Sequence, residues 1–387
     1  MGDSETPAAE PGLIDPVRFI PGDEEKEPEA GIGLCLSGGG YRAMLFHAGA
    51  LWRLRETGLL AELKRISSVS GGSIASGVLA MAWERLASED GMDLFVSEVV
   101  DPIRELASRT IDESAIALGI LTRDTIGERV SGSLGKHLFQ GRTLQDLPDE
   151  PRFVFNATNL ASGVLWRFSK PYMADYRVGT IRNPTTALAD AVAASAAFPP
   201  VLSPFVLDLE AANWETVEGN NLTTEEYRSE VVLSDGGVYD NLGLETVWKR
   251  LETVLVSDGG GRLAVDPDPP ADWPRQSIRI MKVLDSQVRQ LRKRQLMDSF
   301  DSGSRKGAYW GIWSDIAEHG ADDALSCPPD ATRALAEEPT RLKAMPAERQ
   351  ERLINWGYAV CDAAIRARID QALQPPPSWP YPASVVG

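Results

Sequence analysis

Short runs rich in β-branched and apolar residues alternate along most of this chain with longer segments whose apolar positions recur every three or four residues. Runs of the first kind at 32–36, 65–69, 152–156, 231–234, 253–256 and 278–283 predict strands, because strands covered on both faces read as nearly continuous apolar stretches. Segments 43–56, 73–86, 284–300 and 346–373 carry the helical period and predict helices. Strands separated by helices of this length point to an α/β fold, with parallel strands joined by helical crossovers.

Other stretches stand outside that alternation. Residues 92–148 are mostly helical in pattern and separate the second strand from the third, which predicts a helical insertion at one edge. Residues 210–230 are polar, acidic and without a period, and are expected as a surface loop. Residues 1–30 hold nine acidic and two basic side chains, net −7, and are expected as a flexible acidic leader. Residues 373–387 include Pro375, Pro376, Pro377, Pro380 and Pro382 and are expected as an irregular Pro-rich tail. A single domain over residues 31–372 holds the rest.

Charge and cysteine content narrow the function classes. The 387 residues carry 56 acidic and 39 basic side chains, a formal net charge of −17. Nucleic acid is thereby disfavoured as a main partner, since phosphate binding is driven by a basic footprint. Cys35, Cys327 and Cys361 are far apart, so neither a disulfide framework nor a thiolate zinc site is encoded, and a reducing compartment is expected. The N-terminus lacks the basic and then apolar regions of a secretory signal. The stretch 191–207 is too short and too interrupted by Pro199, Pro200 and Pro204 to span a bilayer. The expectation is a cytoplasmic protein whose membrane contact, at the inner face, is peripheral. The basic stretch 288–296, with Arg289, Arg292, Lys293 and Arg294, reads as a solvated helix face or as a contact for anionic lipid.

Two strand-to-helix junctions carry candidate chemistry. At Ser37-Gly38-Gly39-Gly40-Tyr41-Arg42, three successive glycines allow close backbone approach to a bound group, and the helix start favours an anion or oxyanion. The spacing matches neither GxGxxG nor GxxxxGK[ST], so nucleotide binding is disfavoured. At Ser68-Val69-Ser70-Gly71-Gly72, small residues two before and two after Ser70 meet the steric demand of a nucleophile elbow. Ser73, one turn into the helix, and Ser67 and Ser68, inside the strand, are weaker candidates. A serine needs a base, yet the three histidines, His47, His137 and His319, follow no strand end. Carboxylates at strand ends are better placed: Asp235 before Gly236-Gly237, and Asp258 before Gly259-Gly260-Gly261. Either aspartate alone reads equally well as a turn cap.

Taken in order, Gly38-Gly39-Gly40 with Arg42, Ser68-Val69-Ser70-Gly71-Gly72 and Asp235-Gly236-Gly237 resemble the motifs of the patatin-like phospholipase family. Residues 193–200, Ala-Ala-Ser-Ala-Ala-Phe-Pro-Pro, are similar to the family's small-residue and proline segment. The resemblance covers residues 31–260, and the part from about 261 to 372 resembles the helical extension of bacterial members. It implies a three-layer α/β/α fold with a mostly parallel central sheet. It further implies a Ser70–Asp235 dyad without histidine, an oxyanion hole at Gly38, Gly39 and Gly40, and supporting roles for Arg42, Gly72, Gly236 and Gly237. Asp258 becomes the lesser candidate, because Asp235 follows the proline segment and precedes Tyr239-Asp240-Asn241-Leu242-Gly243. One departure is Ser68, which stands where the elbow usually has its first glycine. The implied activity is hydrolysis of phospholipid or other acyl-lipid esters, with neither metal nor cofactor. Hydrolysis of soluble esters or thioesters by the same dyad, and anion or lipid binding without catalysis, are the rival readings.

Overall fold

A computed structural model describes residues 27–89, 91–111, 126–209, 213–217, 219–321 and 323–387. Most of the acidic leader lies outside the described residues, as does part of the 92–148 insertion. The architecture is mixed α/β around one large sheet, in the order β11-β10-β1-β2-β3-β4-β5-β6-β8, with β9 also pairing β3 and β7 pairing β9. Five strands form its parallel centre: β1 (Glu29–Leu36), β2 (Leu63–Ser68), β3 (Arg152–Asn159), β10 (Leu251–Asp258) and β11 (Lys306–Gly311). An antiparallel wing extends it through β4 (Val164–Phe168), β5 (Tyr172–Asp175), β6 (Gly179–Arg182) and β8 (Trp214–Glu215). The remaining strands are β7 (Phe205–Asp208) and β9 (Glu230–Asp235).

Helices α1 (Gly40–Glu56), α2 (Gly71–Ser88), α3 (Leu188–Ser195), α4 (Trp273–Asp301) and α5 (Ala347–Arg368) flank the sheet. Nearly every side chain of α1 is buried, including Arg42, His47 and Arg53, which are hydrogen-bonded, as expected where polar groups are enclosed. It crosses α5 at very close range: a Cβ on Gly49 would lie 1.9 Å from Ile354 O, and one on Gly357 1.9 Å from Phe46 O. The larger apolar core includes Leu36, Phe46, Leu51, Trp310 and Trp356, while a second holds Cys35, Val247, Val254, Leu296 and Phe300.

The parallel strands β1, β2, β3 and β10 and helices α1, α2 and α5 match the pattern-based expectations within a few residues, whereas β11 is not among the expected strands. Residues 278–283, expected as a strand, instead lie within α4. Asp272 caps that helix, its side chain accepting from Arg275 N at 3.1 Å, and Pro274 sits in the first turn. Much of this stretch is exposed, including Ile280 and Met281, so no neighbouring strand is available to form a ladder with it. Within the stretch expected as a loop, the described residues include β8 and the helical turn Glu225–Arg228. The Pro-rich tail is tied down by Asn355, whose Nδ2 donates to Tyr381 O and Ser384 O at 2.9 and 2.8 Å. Among the described residues, no helix is long and apolar enough to cross a membrane.

Candidate active site

Register brings the two junction motifs together. Ser68 pairs with Phe155 on β3, and two residues further along that strand Asp235 pairs with Ala157. Because β9 runs antiparallel to β3, Asp235 arrives from the opposite direction to Ser70, and the two side chains meet.

Ser70 occupies φ 53°, ψ −119° at the start of α2, a conformation that a non-glycine residue adopts only when its surroundings enforce it. Those surroundings are backbone. A Cβ on Gly72 would lie 2.4 Å from Leu36 O, and one on Gly71 would lie 2.1 Å from Gly40 O. Ser68 is accommodated without glycine because its hydroxyl lies 3.0 Å from Ser73 Oγ and 3.4 Å from Val154 O. Ser73 itself is fully buried and also lies 2.8 Å from Ser195 Oγ. Ser67 is equally occupied, donating to Gly243 O at 2.6 Å.

The Asp235 side chain is buried, and its Oδ1 accepts from Gly237 N at 2.7 Å. Burial pushes its pKa up to about 7, the Gly237 N–H and the Ser70 hydroxyl pull against that rise, and the negative charge of Asp285 adds to it. The buried Oδ2 has no hydrogen-bond partner of ordinary geometry among the described residues. A carboxylate of this kind, facing a serine hydroxyl and titrating near neutrality, can accept that hydroxyl's proton.

Asp258 is committed elsewhere. Its oxygens accept from Tyr309 OH at 2.8 Å and Gly260 N at 2.9 Å. Although burial opposes ionisation, Arg289, these two donors and Lys293 hold its carboxyl below the ordinary value. His47 is likewise structural. Its Nε2 donates to Ser37 O at 2.9 Å, so Nδ1 accepts from Ser257 Oγ at 2.8 Å, and burial pushes its pKa down to about 4. It holds the strand end that carries the glycine turn.

In that turn Gly39 has φ 146° and Gly40 φ 61°. Both lie at the N-terminus of α1, where N–H groups have no intrahelical acceptor. Gly38 differs from the expectation as a donor: its N–H donates to Asn241 O at 3.1 Å. It still shapes the site, since a Cβ there would approach Ser70 Cβ to 3.2 Å and Asn241 Oδ1 to 2.6 Å. Arg42 is buried and braces the loops beneath, donating to Gly259 O at 3.1 and 3.2 Å, to Thr340 Oγ1 at 3.1 Å and to Glu338 O. Burial lowers its pKa only to about 10. Gly236 is packed against β3, where a Cβ would meet Asn156 O at 2.3 Å.

Sequence reasoning missed three supporting residues. Ser195 Oγ accepts from Ser70 N at 3.0 Å and donates to Asn156 O at 2.7 Å. Asn156 Nδ2 donates to Ser67 Oγ and Ser68 O, both at 2.9 Å. Thr158 Oγ1 donates to Asp235 O at 2.8 Å. The small-residue run around Ser195 was the available signal for the first. Nothing local marks Asn156 or Thr158, whose roles depend on strand pairing. A cavity of about 340 Å³ beside Arg152, Lys170 and Asn183 is lined by none of these residues.

No curated protein matches this sequence. Among solved structures, human GIVD cytosolic phospholipase A2 is 13% identical, with a TM-score of 0.46 over 87% of this chain and 62% of that one. The same human protein in complex with methyl gamma-linolenyl fluorophosphonate gives 15% identity and a TM-score of 0.49 over 86% and 57%. VipD from Legionella pneumophila gives 14% and 0.36 over 87% and 67%. The chain thus spans less than two thirds of the cytosolic phospholipase A2 chains it resembles. Residues 34–248, more than half of the sequence, match the family model described as patatin-like phospholipase, and the chain belongs to that family.

Proposed function

We propose that the protein is a lipid acyl hydrolase of phospholipase A or lysophospholipase type, acting through Ser70 as nucleophile and Asp235 as base. The observation that carries this reading is the Ser70 hydroxyl, held at a strained turn, facing a buried carboxylate whose pKa is about 7. Ser70 Oγ attacks the ester carbonyl while its proton passes to Asp235. The tetrahedral oxyanion is held by the glycine turn, with Gly39 and Gly40 as N–H donors and Gly38 shaping the approach. Loss of one such donor typically costs about 2.7–4 kcal/mol of transition-state stabilisation. Asp235 returns the proton to the departing alcohol, leaving acyl-Ser70. Water, deprotonated by Asp235, then attacks the acyl carbon; the proton returns to Ser70 and the fatty acid leaves. Ser70, Asp235 and the attacking water account for every proton in this sequence.

Peripheral contact with the inner face of a membrane fits this substrate. Trp273, Ile280, Met281, Leu284, Val288 and Leu291 are all exposed on α4, and at about 100° per residue they fall within one arc of about 100°. The helix carries seven basic and three acidic side chains, a local excess that suits anionic lipid in an otherwise acidic chain. It contacts the turn that follows Asp235 through Arg292, whose Nη1 lies 3.6 Å from Asp240 Oδ2. The helix that carries the stripe is thereby tied to the turn that follows Asp235.

Rates on phospholipid vesicles and on a soluble short-chain nitrophenyl ester test the substrate class. The proposal expects fatty acid release from vesicles and a higher kcat/KM there. Turnover of the soluble ester alone would move the reading to a soluble-ester or thioester hydrolase.

A further inference from the structure

At the end of the sheet away from the catalytic turn lies a group of arginines that the proposed reaction does not use. Arg65 and Arg152 are direct partners on β2 and β3. Arg167 on β4 pairs with Asn156 of β3 and Ala174 of β5. Side chains alternate faces along a strand, so Arg152 shares a face with Asn156, and Tyr172 shares one with Ala174. Arg65, Arg152, Arg167 and Tyr172 therefore project from one face across four adjacent strands. The Arg167 guanidinium carbon sits 5.7 Å from the centre of the Tyr172 ring, and the Tyr172 hydroxyl lies close enough to Arg65 to act on its charge. Arg250, just before β10, adds a fourth guanidinium acting on both Arg65 and Tyr172.

Two features set this cluster apart from a solvated basic patch. Arg65 is only 8% exposed, and buried charges are ordinarily paired with an opposite charge. Among the described residues, no carboxylate lies within ion-pair distance of Arg65, Arg152, Arg167 or Arg250. Nearby acids are taken: Glu150 faces Lys64 at 3.7 Å and Asp149 faces Lys170 at 3.0 Å. Like charges on directly paired strand positions also destabilise a sheet. The electrostatics agree with the geometry. Burial and the guanidiniums of Arg250 and Arg152 lower the Arg65 pKa to about 10, with Tyr172 opposing. Burial would raise the Tyr172 hydroxyl, but Arg167, Arg65, Arg250 and Arg152 outweigh it and bring its pKa below the usual value.

We propose that Arg65, Arg152, Arg167 and Arg250, with the Tyr172 hydroxyl, form a binding site for a phosphate-type anion, distinct from the Ser70 site. The chemistry is that of planar guanidinium forks closing on tetrahedral oxyanions. Arg65 lies at the opposite end of β2 from Ser70, so the site is separate from the oxyanion turn and stands whether or not Ser70 is catalytic.

Thermal unfolding and calorimetric titration of the Ser70→Ala protein with pyrophosphate, inorganic phosphate and chloride test this, alongside pelleting with phosphatidic acid vesicles. Saturable binding of pyrophosphate or phosphate, with chloride inert, is expected. Arg152→Gln and Arg250→Gln, at a half-buried and an exposed position, should each weaken it about tenfold or more. Without ligand these variants should unfold at the same or a higher temperature than the parent, because each removes a repelled charge. Lys306→Gln, at an exposed position on β11, should change neither quantity. Vesicle binding that disappears in both cluster variants, with free anions silent, assigns the same phosphate chemistry to a lipid headgroup. Free-anion binding retained in the Arg152→Gln/Arg250→Gln double variant, or no saturable binding of either free anion together with vesicle binding that is absent or unchanged in that variant, overturns the proposal.

Discussion

The Ser195 hydroxyl accepts the backbone N–H of Ser70 at 3.0 Å, so a residue 125 positions downstream fixes the strained serine. The same short segment holds the other half of the pair. Ser195 O accepts from Gly236 N at 3.3 Å, and Ala197 O accepts from Asp235 N at 2.8 Å. One run of small residues thus positions the backbones of both Ser70 and Asp235, which explains why large side chains are absent from it. Ser195→Ala removes the acceptor for a buried N–H, at a cost of about 1–3 kcal/mol. Steady-state kinetics should show kcat reduced about tenfold or more with KM nearly unchanged. Unaltered kcat would mean that the elbow keeps its geometry without Ser195.

The base must be ionised to act, so kcat/KM on a soluble ester should rise with pH through an apparent pKa near 7, the value to which burial pushes Asp235. Asp285 adds a like charge to that site, so Asp285→Asn should move the rising limb to lower pH by a few tenths of a unit. A limb that stays put in this variant would place the controlling ionisation elsewhere.

Stability should depend on the same group with a definite sign. The folded pKa of Asp235, about 7, lies above its ordinary value of 3.8. Its contribution is therefore fully present below about pH 4 and is lost as pH rises through about 7. Asp235→Asn cannot ionise. It should unfold a few degrees above wild type at pH 8, with the difference vanishing near pH 4, as thermal unfolding across this range would show. Its activity should nevertheless fall by about 10²–10⁴. A variant less stable than wild type at pH 8 would contradict the assignment of a buried, reluctantly charged carboxylate.

The exposed stripe on α4 predicts lipid dependence. Leu284→Glu with Leu291→Glu should lower pelleting with anionic vesicles and vesicle turnover together, while hydrolysis of a soluble nitrophenyl ester is retained. Equal loss on both substrates would mean that the helix supports the fold rather than meeting lipid. A change of oligomeric state in size-exclusion light scattering would show that a second copy covers the stripe.

Much of this molecule is legible in its sequence because its parallel strands are covered on both faces. Stretches such as 32–36 and 254–256 have no polar residue to confuse the period. The antiparallel wing was missed because β4 to β6 are only four or five residues long and carry Arg167, Tyr172 and Arg182 among their apolar positions. Residues 278–283 misled for the opposite reason: a β-branched run can lie on an exposed helix when Asp272 and Pro274 start one upstream. Ser70 and Asp235 stood out because glycines follow each, and those glycines are required by backbone contacts of 2.1–2.4 Å to any added Cβ at Gly71, Gly72 and Gly236. The hydrogen bond that occupies Gly38 N–H was invisible, since it depends on Asn241 arriving from 203 residues away.

Intact-mass analysis after treatment with an alkyl fluorophosphonate tests the central assignment most directly. One covalent adduct per chain is expected on the wild type and none on Ser70→Ala. The adduct should persist in His47→Gln, because His47 is held neutral by burial and acts on the strand end rather than on Ser70. No adduct on wild type, or an adduct that survives Ser70→Ala, would contradict Ser70 as the nucleophile.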